Sequence, residues 1–181
     1  ANSGTISGTL DNSGQFINTQ FGSLSGGVTN SGELNNAGTV TGGLANAATG
    51  TVENTGTIAG DITNSGFLIT DIDNLQATDS SIENTGTLRL IGGVNTNTIT
   101  GDNGTTEIIG EVENRGTISN DIHLHNGTLH ISDGSIDTTK TLIADGGTLN
   151  LQNGSLGVFE MAMHKLLNDI DAHYEMDYTH K

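Results

Sequence analysis

His123 and His125 are the pair in this 181-residue chain most ready to act together. Residues two apart on a β-strand project from one face, so their imidazoles would stand side by side and offer half of a zinc site. Asp121 and His130 lie near in sequence, but spacing names no third ligand, and an exposed His pair on a polar face needs no metal. Oxygen ligands of the calcium type are offered by Asp71, Asp73 and Asp79, and again by Asp169, Asp171, Glu175 and Asp177. Neither group matches a calcium loop, and the Gly-Gly-x-Gly-x-Asp nonapeptide of calcium-binding β-rolls is absent. Both groups read as solvated acidic surface, and no cofactor is expected.

Catalytic chemistry finds little to work with. There is no Cys, and no Gly-x-Ser-x-Gly, His-Glu-x-x-His or phosphate loop occurs. Paired carboxylates can hydrolyse a glycosidic bond, which keeps a polysaccharide-active enzyme as the alternative. The basic residues that a lyase-like site would cluster are only Arg89, Arg115, Lys140, Lys165 and Lys181, and they are scattered. The aromatics that could form a sugar platform are limited to Phe16, Phe21, Phe67, Phe159, Tyr174 and Tyr178. Thr pairs such as Thr39/Thr41, Thr49/Thr51, Thr55/Thr57 and Thr85/Thr87 resemble ice-binding arrays, but irregularly, and Thr suits exposed strand positions anyway. A net charge of −16 with five basic residues argues against nucleic acid or an anionic membrane as partner. No run approaches the ~18 apolar residues of a membrane-spanning helix.

The elements that must position these residues are hidden behind a composition that suits disorder. Gly and Thr each occur 27 times and Asn 20 times, and an acidic chain poor in aromatics is an ordinary disordered one. Order in the sequence decides against that. The motif Asn-x-Gly, a mostly polar residue, then an apolar one recurs from Asn2, Asn12, Asn30, Asn36, Asn54, Asn64, Asn84 and Asn114, at intervals of 10, 18, 6, 18, 10, 20 and 30 residues. Between residues 2 and 126, even positions carry 22 large apolar residues and odd positions eight. Side chains alternate faces along a strand, and a turn of even length, repeated, keeps one phase over a hundred residues. A helix would show spacings of three and four instead.

The expected fold is therefore all-β: a right-handed parallel β-helix (solenoid) over residues 1–156, with about eight coils of ~19 residues rising ~4.8 Å each. Motif Asn and Gly share the inward phase at the corners. Asn54, Asn64, Asn84 and Asn114 are the candidate ladder residues. Gly56, Gly66, Gly86 and Gly116 would supply either positive φ or close backbone approach. Absent Pro suits strands that need every N–H. The phase slips after Asn126, and residues 157–181 form a separate C-terminal piece, a helical or mixed cap or linker. Within it Phe159, Met163, Leu166 and Ile170 fall at helical spacing and the residues beyond alternate like a strand. The chain opens in mid-pattern at Ala1-Asn2, as a segment of a longer repeat region would, with any export signal outside it.

The run Val52-Glu-Asn-Thr-Gly-Thr-Ile58-Ala-Gly-Asp-Ile62-Thr-Asn-Ser-Gly66 resembles passenger regions of bacterial autotransporters. It is also similar to haemagglutinin-like exoproteins of two-partner secretion. The resemblance covers residues 1–156. It implies an extracellular or outer-membrane-surface location, an outer-membrane translocation barrel or partner transporter, and a non-catalytic role in adhesion, aggregation or biofilm formation. Host or bacterial surface glycans and proteins, or a second copy of the chain, are the partners it implies. Lack of Cys fits passage through a narrow pore. The residues after Gly157 match no passenger-to-barrel junction.

Overall fold

The computed structural model describes residues 1–137 and 139–151 and the backbone of the strand His173–Met176. It is a parallel β-solenoid of about eight turns. Each early turn contributes three short strands. The first stack joins Thr5–Ile6, Ser23–Leu24, Thr39–Val40 and the start of Thr57–Asn64. The second joins Leu10–Asn12, Val28–Asn30, Leu44–Asn46 and the end of Thr57–Asn64, and runs on through Thr98–Thr100 and Thr117–Ile118 to Ser135–Ile136. The third begins at Gln15–Asn18 and Glu33–Asn36 and ends at Asp121–His125 and Leu142–Asp145. From Gly92 a further stack takes the place of the first in chain order: Gly92–Asn95, Glu111–Asn114, Thr128–Ile131, Thr148–Leu151 and His173–Met176. The expected helix after Gly157 lies outside the described residues.

Alternation makes this core. Leu24, Val40 and Ile58 stack in one column, Val28, Leu44, Ile62 and Ile82 in another, and Leu34, Val52, Leu68 and Leu88 in a third, all buried. The odd-numbered exceptions are of two kinds. Leu75 and Ile99 are buried because their turns have odd length: Ile82 stacks on Ile99 and Ile99 on Ile118, one odd step undone by the next. Ile17, Phe21, Ile91 and Ile109 keep the outward phase and are exposed, and Phe67 and Ile69 keep it half-buried.

Along two corners the buried residue is Asn. In one, the side-chain amide of Asn2 donates to Asn18 Oδ1 (2.9 Å), Asn18 to Asn36 (2.8 Å) and Asn36 to Asn54 (2.7 Å). Asn54 then donates to Thr70 Oγ1 (3.0 Å). In the other, Asn12, Asn30, Asn46, Asn64 and Asn84 form the same chain at 2.7–2.9 Å. A shorter ladder links Asn95 to Asn114 (2.7 Å). Each amide's second hydrogen goes to backbone: Asn64 Nδ2 also reaches the carbonyls of Gly66 (3.3 Å) and Thr87 (3.0 Å). Donors and acceptors are thus satisfied at sites where an unpaired amide would cost about 1–3 kcal/mol.

Asn18, Asn46, Asn95 and Asn120 belong to these ladders although the repeat pattern does not flag them. Asn18 and Asn46 precede Gly22 and Gly50 with two extra residues between, an even insertion that preserves phase. Asn95 sits in an odd-phase turn, with Asn97 where the motif has Gly.

The motif glycines are required by close approach; positive φ falls on other glycines, among them Gly27, Gly43 and Gly60. A Cβ at Gly56 would overlap the Gly38 carbonyl of the preceding turn, one at Gly66 the Gly50 and Ala47 carbonyls, one at Gly86 the Gly66 carbonyl, and one at Gly116 the Asn97 carbonyl. At Gly14 nothing lies within 4 Å. The constraint therefore comes from the turn beneath. Gly66→Ala should cost about 1–3 kcal/mol, as overpacking against rigid backbone does, while Gly14→Ala should be near neutral; urea unfolding of the two variants makes the comparison.

The ladder yields a second expectation. Asn64→Asp replaces a donor by a carboxylate facing the acceptors Asn84 Oδ1, Gly66 O and Thr87 O. At neutral pH the loss should be about 3–5 kcal/mol, the scale for an uncompensated buried charge. The new carboxyl's folded pKa must rise above its unfolded ~3.9. The penalty is then full above the folded pKa and shrinks as pH falls through it, which denaturation at pH 7 and pH 5 will read.

Candidate functional site

The outer surface of the third stack carries one group of interacting side chains. Register places Ile69, Arg89, Glu107, His123 and Ile143 in one column, a turn apart. Arg89 Nε donates to Glu107 Oε2 at 2.7 Å, and its guanidinium lies 4.9 Å from the Phe67 ring centroid. This is the arrangement of a cation–π contact.

His123 and His125 share the strand Asp121–His125, and their rings meet edge to face with centroids 5.7 Å apart. The next turn supplies the third group. His125 is in register with Asp145, whose Oδ2 lies 3.3 Å from His125 Nδ1. One donor atom from each of His123, His125 and Asp145 falls within 4.8 Å of the others. The corner is fixed by backbone: Asn126 N–H donates to the Asp145 carbonyl (3.0 Å), and Asn126 and Gly146 both hold positive φ, at 56° and 66°. The side chains of His125 and Asp145 are 55% and 65% exposed, so the cluster opens to solvent. Among the described residues His123 Nε2 is buried with no hydrogen-bond partner. The two neighbours in sequence go elsewhere. Asp121 Oδ1 accepts the Thr141 N–H (2.8 Å), and His130 sits on another stack.

That stack forms a second cluster, a cavity of about 440 Å³ lined by Gly93, Glu111, Glu113, His130 and Ser132. His130 Nε2 lies 3.2 Å from Glu111 Oε1, and its Nδ1 3.2 Å from Asn150 Nδ2. Glu113 Oε1 accepts from Arg115 Nε (2.8 Å) and Ser132 Oγ (2.6 Å). Those two hydrogen bonds, Arg115's first, hold the Glu113 carboxyl below its ordinary pKa. A glycosidic general acid needs the opposite shift.

The other expected ligand groups are separated or employed. Asp73 Oδ1 accepts the Val94 N–H (3.2 Å), and Asp79 lies in a bulge beside Ser80, both with positive φ. The side chains of Asp169, Asp171, Glu175 and Asp177 lie outside the described residues. Outward hydroxyls stack as Thr5, Ser23, Thr39 and Thr57 on the first side, but the second side reads Thr29, Ala45, Thr63, Glu83. Asn54, Gly56, Asn64, Gly66, Asn84, Gly86, Asn114 and Gly116 lie at the corners described above, inside the wall and away from these faces. No protein family, curated protein or solved structure matches this chain.

The Glu113 contacts set an acid dependence. A carboxyl with a depressed folded pKa contributes stability that is present above its unfolded pKa and is lost as pH falls through the folded one. Glu113→Gln should therefore melt lower than the parent near pH 7, with the gap closing below about pH 4.5, the ordinary value for Glu. Thermal melts across that range check it.

Proposed function

We propose that this chain is a stalk-like β-solenoid of the bacterial cell surface or secreted space, acting in adhesion, aggregation or biofilm formation without catalysis. The observation that carries this reading is the continuity of its polar outer columns. One runs Gln15, Glu33, Thr51, Phe67, Thr87, Thr105, Asp121 through seven successive turns, polar at every position but Phe67. Carboxylates, amides and hydroxyls repeated every ~4.8 Å suit many weak contacts with a surface glycan, a surface protein or a second copy of the chain. Avidity multiplies such contacts without any deep pocket. The autotransporter-like repeat supports delivery through an outer-membrane barrel or a partner transporter. A polysaccharide-active enzyme is the second reading. The cavity holding Glu111, Glu113 and His130 favours it, and the depressed pKa of Glu113 counts against it.

The test displays the chain on a non-adherent, non-aggregating bacterium. Faster settling and greater surface attachment than cells bearing the same anchor alone are expected. Settling and attachment equal to the anchor control would overturn the adhesive reading, and release of reducing ends from a glycan panel would replace it with the enzymatic one.

A further inference from the structure

We propose that His123, His125 and Asp145 form a binding site for a divalent transition metal of the zinc class. The inference is independent of the adhesive reading. Two imidazoles and one carboxylate are the donor set of borderline cations; calcium and magnesium take all-oxygen shells. The three donor atoms already lie within 4.8 Å of one another. Around zinc, ligands at ~2.0–2.1 Å stand about 3.3 Å apart. Rotamer adjustment of His125 and Asp145, each more than half exposed, covers the difference without moving backbone.

The frame is rigid where it must be. The strand carrying both histidines is paired on both sides, with Thr105–Asn114 and Leu142–Asp145. An antiparallel bridge between His125 and Gly146 pins the corner that delivers Asp145. Gly146 holds a φ of 66°, a left-handed conformation that favours glycine at this corner. His123 Nε2, buried without a partner, adds a second sign. The ring presents polar capacity that its protein neighbours leave unused, and a buried imidazole nitrogen normally has a hydrogen bond or a metal. Three protein ligands with an open side leave a fourth position for water or for a donor from another molecule, as in open zinc sites.

The experiment titrates the EDTA-stripped full chain with zinc alone, read by isothermal calorimetry and by competition with a chromophoric chelator. The double variant His125→Ala/Asp145→Asn is compared, its fold checked by circular dichroism and urea unfolding; His130→Ala is the control. One zinc equivalent is expected in the parent and in His130→Ala, lost in the double variant and not displaced by millimolar calcium. Cobalt(II) should give visible absorption of a low-coordinate complex in the parent and in His130→Ala, and not in the double variant. The site is overturned if the parent binds no zinc, or if the folded double variant binds as many equivalents as the parent, which would place the metal on other histidines such as His164 or His180.

Discussion

A carboxamide at a buried corner can donate two hydrogen bonds and accept others, and its geometry repeats along a stack. That property holds this solenoid together. The amide of Asn30 accepts from Asn12 below and donates to Asn46 above while also reaching the Gly32 and Thr51 carbonyls. Turning the amide over would set its oxygen against those carbonyls, so the network admits one orientation. Adjacent turns must stay at strand spacing for the amides to meet, and each corner must bring its backbone against the one beneath. The glycine two to four residues on satisfies the second demand. The flanking strands then have their register fixed, and with it the inward phase of the core Leu, Ile and Val between corners. Apolar burial supplies the bulk of the driving force, but a thin column of aliphatic residues slides easily. The ladder makes the register specific.

The fold changes where the ladders change. At Thr70 the amide chain ends: its hydroxyl accepts from Asn54 and donates to the Asp71 carbonyl, leaving no polar group for the turn above. The column continues as Leu90, Ile108, Leu124 and Ala144. A 3-10 turn, Ile72–Asn74, follows at once, then the bulge at Asp79 and Ser80, then the new stack from Gly92. The second ladder crosses its own gap. Gly101 has no side chain to offer, and Asn120 reaches past it to Asn84, bonding its backbone carbonyl at 3.1 Å and accepting from its amide at 2.9 Å. Among the described residues, the clusters around His125 and around His130 both lie beyond Thr70. Regular turns present like residues above like residues; a shifted register sets unlike residues together.

Period-two alternation made the solenoid legible in the sequence, since no other architecture keeps one phase through turns of differing length. The Asn-x-Gly signal located the corners of the regular turns. Asn18 and Asn46 escaped it because their corners carry two extra residues, exposing Phe21 in one of them. Asn95 escaped because its turn is odd and its glycine is replaced. The candidate metal centre was half legible. His123 and His125 share a strand, so local geometry pairs them, whereas Asp145 arrives from the next turn. Its place depends on how many residues the intervening corners consume, and the side-chain pattern does not encode that number once the phase has slipped.

Net charge connects these levels. At −16 the chain repels its own copies, and the repulsion is softened by salt within a Debye length of about 8 Å. Its outer columns place Glu33, Glu53, Glu83, Glu107 and Glu111 on solvent-facing strand positions, with Arg89 the paired exception beside Glu107. A face of this sign repels anions and attracts cationic groups. Such a face repels phosphates, and the repulsion between like-charged copies falls as ionic strength rises. His125 and Asp145 are more than half exposed on this surface, where a single bound cation would change the local charge. The regular turns thus repeat like polar groups along a stack, and the irregular ones bring unlike groups together.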